Sequence, residues 1–329
     1  MENWMLRAKY MARCLLATLF VVALAGCHCD NCDKEVVVEP QPAPTTPPAQ
    51  SDQSDQRGNF QTWREHPPFV QQFGPVGQGH LAKIEAAQVL RIGVRADAPP
   101  FGFVDKDDKD ARPQGFDVEL GTRIARALKV QPRFVTVTSQ NRIEKLKNGE
   151  IDVIVATLTA TRKRAKDIDF SMPYFQDQQG LLVSTASPIQ SYRDLSGKKV
   201  ASAVGSTSTD NLKVVAPDCQ IVPVDTMTAG FEKLQQGAVD AVTGDGMTLR
   251  ALDHNAPDPK AYRLAGEGFS VEPYVVGLPQ NDSQFRARID EILTEIWTTG
   301  AWTRIFNKWL GPETPYNMET HFQMPILPP

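Results

Sequence analysis

Cysteine is scarce in this chain and poorly placed for structural work. Five occur in 329 residues, and Cys14, Cys27, Cys29 and Cys32 all fall at the start, leaving Cys219 isolated. A disulfide-stapled fold is therefore excluded, and a structural zinc site, which needs four ligands on a folded frame, is disfavoured. An excess of positive charge is also absent: 35 Lys and Arg stand against 39 Asp and Glu, for a net charge of −4. The basic residues are scattered rather than clustered, which argues against a nucleic-acid partner. No apolar run is long enough to span a membrane comfortably; the longest, residues 14–26, is too short. The chain's length allows one large or two ordinary domains.

That apolar run has its own meaning. Arg7, Lys9 and Arg13 precede it, and it ends in Leu24-Ala25-Gly26-Cys27. A cationic stretch, an apolar stretch and small residues are the parts of an export signal. Small residues before a cysteine resemble the lipobox of a bacterial lipoprotein. The expectation is a signal peptide over 1–26, cleavage before Cys27 and a lipid on its sulfur; an uncleaved anchor helix or an ordinary secretory peptide are the alternatives. Cys29 and Cys32 then lie beside the anchor, where pairing with each other or between chains is more plausible than metal binding. Residues 27–56 are rich in Pro, Gln, Ser and Thr and read as a tether. Residues 57–80 carry aromatics without a clear period and stay unassigned.

From Leu81 the pattern becomes regular. Residues 89–95 read as a strand, 115–130 as an amphipathic helix, PRFVTVT as a strand, NRIEKLKNG as a helix ending in Gly149, and IDVIVA as a strand. That is βαβαβ, the pattern of a parallel sheet covered by helices. QGLLVST reads as a strand that leaves this unit, and a second set of alternating strands and helices follows from Lys198 to Leu252. VEPYVVGLP reads as a returning strand, and residues 284–311 as one or two amphipathic helices. The expected organisation is lobe 1 over 81–183, lobe 2 over 184–272, a return to lobe 1 over 273–311, and a Pro-rich tail over 312–329, laid on the surface or loose. Two such lobes joined by two crossing strands make a hinged clam with a cleft at the strand ends.

Residues 150–175 carry the chemistry. Thr157 and Thr159 follow the IDVIVA strand and, two residues apart in extended chain, face the same side. Thr161 is placed to cap a helical turn that carries Arg164. Free N–H groups beside a guanidinium suit a carboxylate.

The fragments VLRIGVRADAPPFGF, QGFDVELGTRIARAL, LKNGEIDVIVATLTATRKRAKDIDFSMPY, DLSGKKVASAVGST and VDAVTGDG, in this order from Leu81 to Gly311, resemble the bacterial extracellular solute-binding proteins of family 3, receptors for polar amino acids in ABC importers. The resemblance implies an α/β, two-lobed periplasmic-binding-protein fold of type II, hinged by two crossing strands with a ligand cleft between lobes. It implies a monomer without cofactor or metal, whose partners are a small amino acid, an ABC permease and a membrane reached through Cys27. The location implied is the cell envelope or periplasm. It also assigns residues: Thr157, Thr159, Arg164 and Thr207 to the ligand's α-carboxylate, Asp245 to its α-ammonium, and Ser139 and Arg142 to a distal carboxylate. Arg95 matches a basic residue of glutamate/aspartate receptors, and Ala98 sits where many basic-ligand receptors carry an aromatic.

A charge count points the same way. Arg95, Arg142 and Arg164 with Asp245 suit a ligand with two carboxylates and one ammonium, since buried charges must be paired. Glutamate or aspartate is thus the expected ligand, with glutamine or another polar amino acid as the alternative. Each residue also has an ordinary reading: Arg95 as an exposed strand end paired with Asp97, Arg142 as a solvated helix start, Arg164 as part of a solvated basic face, Asp245 as a helix cap after Gly244. A dehydratase of the same fold would need a general acid or base near neutral pH. His254 follows the Asp245 helix and His66 and His80 precede the fold, so no histidine is placed in the cleft and binding is favoured over catalysis. A sensory role is not separable from transport by sequence.

Overall fold

The computed structural model describes residues 79–105, 108–258 and 260–326. The expected signal peptide, the tether, Cys27 and nearly all of residues 57–80 lie outside them. No helix among the described residues is long and apolar enough to cross a membrane.

The chain opens with helix α1 (His80–Ala87) and strand β1 (Val89–Val94), then a small antiparallel sheet of β2 (Asp97–Ala98), β3 (Gly102–Val104) and β4 (Pro113–Gln114). Helix α2 (Phe116–Ala127), β5 (Gln131–Thr136), α3 (Arg142–Lys147), β6 (Val153–Ile154) and β7 (Asp169–Asp177) complete the first pass. Then come β8 (Gln179–Ser184), β9 (Lys199–Ala203), α4 (Thr207–Val215), β10 (Gln220–Val224), α5 (Met227–Gln235), β11 (Ala241–Asp245), α6 (Gly246–His254) and β12 (Tyr262–Leu264). Strand β13 (Glu272–Leu278) and helices α7 (Ser283–Thr298) and α8 (Ala301–Trp309) close the regular part.

Two five-stranded sheets result, ordered β5-β1-β6-β13-β7 and β10-β9-β11-β8-β12. In each, the βα repeats give parallel neighbours and the crossing strands run antiparallel to them. The two-lobed fold follows directly: each sheet is buried by its own helices, with separate apolar cores. Leu90, Ile92, Leu120, Ile124, Ile289 and Trp302 belong to the first, and Leu182, Ala201, Val224, Phe231 and Val242 to the second. Helix α2 buries Phe116, Leu120 and Ile124 at helical spacing against β1 and β5.

One boundary is corrected. Sequence reading kept residues up to 183 in lobe 1, but β8 pairs with β11 and β12, so the chain leaves the first sheet at Gln178. An apolar strand at a hinge satisfies either sheet, and only its pairing partner decides. The IDVIVA run also forms a much shorter strand than expected, Val153–Ile154, because the chain turns into the site at once. Gly300, at φ +69, separates α7 from α8, a left-handed position that glycine adopts without steric cost.

The tail is not loose through Ile326. Phe322 stacks near Phe175 and Trp302 with ring centroids 6.3 and 5.7 Å away, and Met324 is buried. Tyr316 meets His254 of α6 edge-on at 6.3 Å. Truncating a buried methionine removes apolar contact and leaves a cavity, at a cost of about 2 kcal/mol. Met324→Ala is therefore expected to lower the thermal midpoint by several degrees; an unchanged midpoint would mean the tail does not contribute to the folded core.

Candidate functional site

Six of the sequence-predicted residues line one cavity: Arg95, Ser139, Arg142, Thr157, Thr207 and Asp245, joined by Ala98, Ser206, Met227 and Gly244. The remaining two, Thr159 and Arg164, flank it. The cavity lies between the ends of the two sheets and has a volume of only ≈ 20 Å³. That is about the room one water needs, so an amino acid gains access only if the lobes part.

Arg95 leaves the end of β1 and is buried at 5% exposure. Its Nε and Nη2 donate to Asp97 at 2.7 Å each, and Nη1 donates to Ser139 Oγ at 2.7 Å. Pairing with Asp97 is therefore real, but it is interior rather than exposed. Asp97 also accepts the backbone N–H of Met227, the first residue of α5 in the other lobe, at 3.0 Å. Arg95, so paired, does not present a free charge to the cavity, which revises the count of three arginines available to a ligand's two carboxylates.

Arg142 has no carboxylate on it. Its Nη1 donates to the backbone carbonyls of Ala156 and, at 3.3 Å, Thr157. Its Nε is buried with no protein partner, and the side chain is 2% exposed. It is not a solvated helix start. Burial, together with the nearby charges of Arg164 and Arg95, holds its pKa well below the ordinary guanidinium value. Such a group is relieved by an anion.

Thr157 adopts φ +46, uncommon for a β-branched residue and a strained one. Asp117, in the first turn of α2, holds it there by accepting Thr157 N–H at 2.8 Å. The same carboxyl accepts the Tyr174 hydroxyl at 2.8 Å. Thr161 Oγ1 accepts the Arg164 N–H at 3.1 Å, capping the turn as its position suggested. Arg164 then donates to Thr159 O at 2.7 Å and, across the lobes, to Gly205 O at 3.0 Å. Gly205 sits at φ +77 against the backbone of Ser139 and Gln140, where a Cβ would meet Gln140 Cα at 2.7 Å. Glycine here permits both the turn and the lobe approach.

Asp245 precedes α6 but its side chain makes no cap bond. Tyr274 Oη donates to it at 2.7 Å and Gln179 Nε2 at 3.3 Å. Burial raises its pKa, with the Glu272 charge adding to the effect. Burial and the Asp245 charge push Asp177, which also receives the Tyr274 hydroxyl at 3.3 Å, up to about 7.

Sequence reasoning missed Asp117, Gln179 and Glu272, and placed the Arg95–Asp97 pair on the surface without its bond to Met227. Glu272 is 1% exposed and accepts from Thr159, Thr207 and Asn211. Its signal was available: it is the one acid in the otherwise apolar returning strand. Among the described residues no cluster of His, Cys, Asp and Glu could hold a metal.

Burial pushes the Asp117 carboxyl up to about 6 from 3.8. The folded state thus keeps this proton to higher pH than the unfolded chain does. Its contribution is fully present below the unfolded value and is lost as pH rises through about 6, with a slope approaching about 1.4 kcal/mol per pH unit between the two values. Asp117→Asn cannot titrate, so the stability difference between wild type and variant should shift by this slope between pH 4 and 6 in denaturant titrations. A difference that is flat with pH would remove Asp117 as the titrating group.

Residues 90–312 match the sequence profile of the bacterial extracellular solute-binding proteins, family 3. A glutamine-binding protein of an ABC transporter from Bacillus subtilis is 34% identical over 234 residues, which are 70% of this chain and 84% of that one. An L-glutamate/L-aspartate-binding protein from Pseudomonas aeruginosa is 27% identical over 258 residues, 75% of this chain and 85% of that one. Among solved structures, an ancestral arginine-binding protein bound to arginine aligns with a TM-score of 0.65 at 36% identity, over 68% of this chain and 99% of that one. The two hinged α/β lobes, the polar cavity between them and a profile match across most of the chain place this protein in the bacterial extracellular solute-binding proteins, family 3.

Proposed function

We propose that this protein is the substrate-binding lipoprotein of an amino-acid ABC importer and that it captures glutamate or aspartate by cleft closure. In this reading Thr157, Thr159, Arg164 and Thr207 hold the amino-acid end by its carboxylate side, Asp245 takes the ammonium, and Ser139, Arg95 and Arg142 meet the distal group. The observation that carries the acidic ligand is Arg142: a buried guanidinium on the cavity wall whose Nε lacks a protein partner. A distal carboxylate supplies both the acceptor and the charge that burial of this cation calls for.

Glutamine is the second reading, and a specific contact favours it. Asp97 accepts from two of the three guanidinium nitrogens of Arg95 and neutralises it, which leaves Arg142 as the single uncompensated cation of the distal end. A glutamine carbonyl can accept from Arg142 without adding charge. Two relatives named for glutamine share 34% and 37% identity with this chain. Catalysis is disfavoured by the histidines: His254 packs on Tyr316 and His80 bonds Asp282, 3.0 Å away, both outside the cavity.

Calorimetry of the exported domain against glutamate, aspartate, glutamine, arginine and histidine tests the assignment. Glutamate or aspartate should bind most tightly; preference for glutamine or arginine over both would replace the ligand. Arg142→Ala should weaken glutamate and aspartate by about tenfold to a hundredfold, as expected for a hydrogen bond to a charged group, and glutamine less. Equal losses would place Arg142 away from the distal carboxylate. For the anchor, Cys27→Ser should move the protein from the membrane to the soluble fraction of a bacterial host; retention on the membrane would exclude lipidation at this residue.

A further inference from the structure

Glu272 begins β13, the strand by which the chain returns to the first lobe. Its Oε2 accepts from Thr159 Oγ1 at 2.7 Å and from Thr207 Oγ1 at 2.8 Å, and its Oε1 accepts from Asn211 Nδ2 at 3.0 Å. Thr159 belongs to the first lobe; Thr207 and Asn211 sit on α4 of the second. A single buried carboxylate therefore ties the hinge strand to both lobes.

The hydrogen count has a chemical consequence. A threonine hydroxyl owns one hydrogen and two lone pairs, and a carboxylate has no hydrogen to give. Both Thr159 and Thr207 must donate to Glu272, so neither has a hydrogen left for a ligand carboxylate. Thr207 also accepts from Gln179 Nε2 at 2.8 Å, which leaves one lone pair on the oxygen of a residue that lines the cavity. Gln179 Nε2 reaches Asp245 Oδ1 as well, at 3.3 Å, so Thr207 Oγ1 and the Asp245 carboxylate share one neighbour. Two acceptors side by side on a cavity wall suit a cation with several hydrogens.

We propose that Glu272 is a positioning residue that sets the polarity of the site: by taking the hydrogens of Thr159 and Thr207 it turns the Thr207 oxygen into an acceptor, which with Asp245 receives the ligand's α-ammonium. The α-carboxylate is then left to other donors, among them Arg164 and the N–H groups at the start of α4. This inference rests on the amino-acid reading above and changes it in two places: the Thr159 and Thr207 hydroxyls no longer serve the α-carboxylate, and Thr207 is given the α-ammonium instead.

The test is a double-mutant cycle in the exported domain, read by calorimetry with the amino acid that the wild type binds best. Glu272→Gln replaces an obligate acceptor by an amide whose NH2 can donate to the threonine oxygens. Affinity should fall about tenfold. Thr207→Val, which keeps the side-chain shape, should cost a similar factor, and Thr207→Ser should retain most of the affinity. Because Glu272 acts through Thr207, the double variant Glu272→Gln with Thr207→Val should be no weaker than the weaker single variant. Losses that multiply would overturn the inference, since Glu272 would then act independently of that hydroxyl. Tighter binding by Glu272→Gln would also overturn it, showing that Glu272 competes with the ligand's carboxylate. Thermal melts without ligand accompany each variant, and Thr207→Val and Thr207→Ser carry the test by their own difference if Glu272→Gln fails to fold: equal affinities for these two would exclude an accepting role for the hydroxyl. A wild-type protein that binds no amino acid overturns the receptor reading itself, and this inference with it.

Discussion

Charge buried between the two lobes is the constraint on which the rest of this structure depends. Arg95, Arg142, Arg164 and Glu272 are each under a tenth exposed, and Asp97 and Asp245 lie beside them. Stripping such groups of water costs several kcal/mol each unless partners replace it. The partners are drawn from both lobes. Asp97 of the first accepts Met227 N–H of the second, Arg164 donates to Gly205 O, and Glu272 collects Thr159, Thr207 and Asn211. The apolar cores, by contrast, lie almost wholly within the lobes, with Met247 of α6 the one second-lobe residue in the first-lobe cluster. Interior hydrophobic burial therefore makes each lobe rigid, while the junction is closed mainly by hydrogen bonds that water can replace when the lobes part. That division is what a hinge requires: stiff bodies and a contact whose net worth is small.

The sequence carried the lobes well and the site unevenly. Helix α2 was legible because its apolar period was clear: expected over 115–130, it is observed as Phe116–Ala127. Arg95, Ser139, Arg142, Thr157, Thr207 and Asp245 converge on one cavity although they come from five separate stretches, because a parallel sheet brings its loops to the same edge. What sequence could not show is pairing at a distance. Asp97 lies next to Arg95 in the chain, yet whether that pair is exposed or interior depends on Ser139 and Met227 arriving from elsewhere. The strand β8 is apolar enough for either sheet, so its membership is decided by β11 and β12. Glu272 was masked by the opposite problem: a strong strand pattern absorbed the one residue that contradicts it.

The two arginines at the distal end show why counting charges along a chain is not enough. Both are buried, both are on the cavity wall, and in sequence both face the same imagined carboxylate. Their surroundings differ. Arg95 is held by Asp97 through two donors and keeps its charge through that pairing, which outweighs burial. Arg142 has only carbonyl oxygens around Nη1 and nothing on Nε, and burial works against it. A ligand carboxylate therefore changes the energy of Arg142 far more than that of Arg95. In the glutamate/aspartate reading proposed above, discrimination between an acid and its amide rests on the unpaired arginine.

Asp97 links that discrimination to motion. The carboxylate that orients Arg95 is the same one that accepts Met227 N–H from the second lobe. A ligand that draws Arg95 toward itself competes with Asp97, and whatever loosens Asp97 also loosens a bond between the lobes. A ligand can shift the balance of open and closed forms only by its difference in affinity for the two. A distal group that satisfies Arg142 while leaving the Arg95–Asp97–Met227 chain intact gains in the closed form without weakening it. One that needs Arg95 as well gives part of that gain back. Under the proposed amino-acid reading, selectivity in this cleft is therefore set by which arginine the ligand leaves alone as much as by which one it binds.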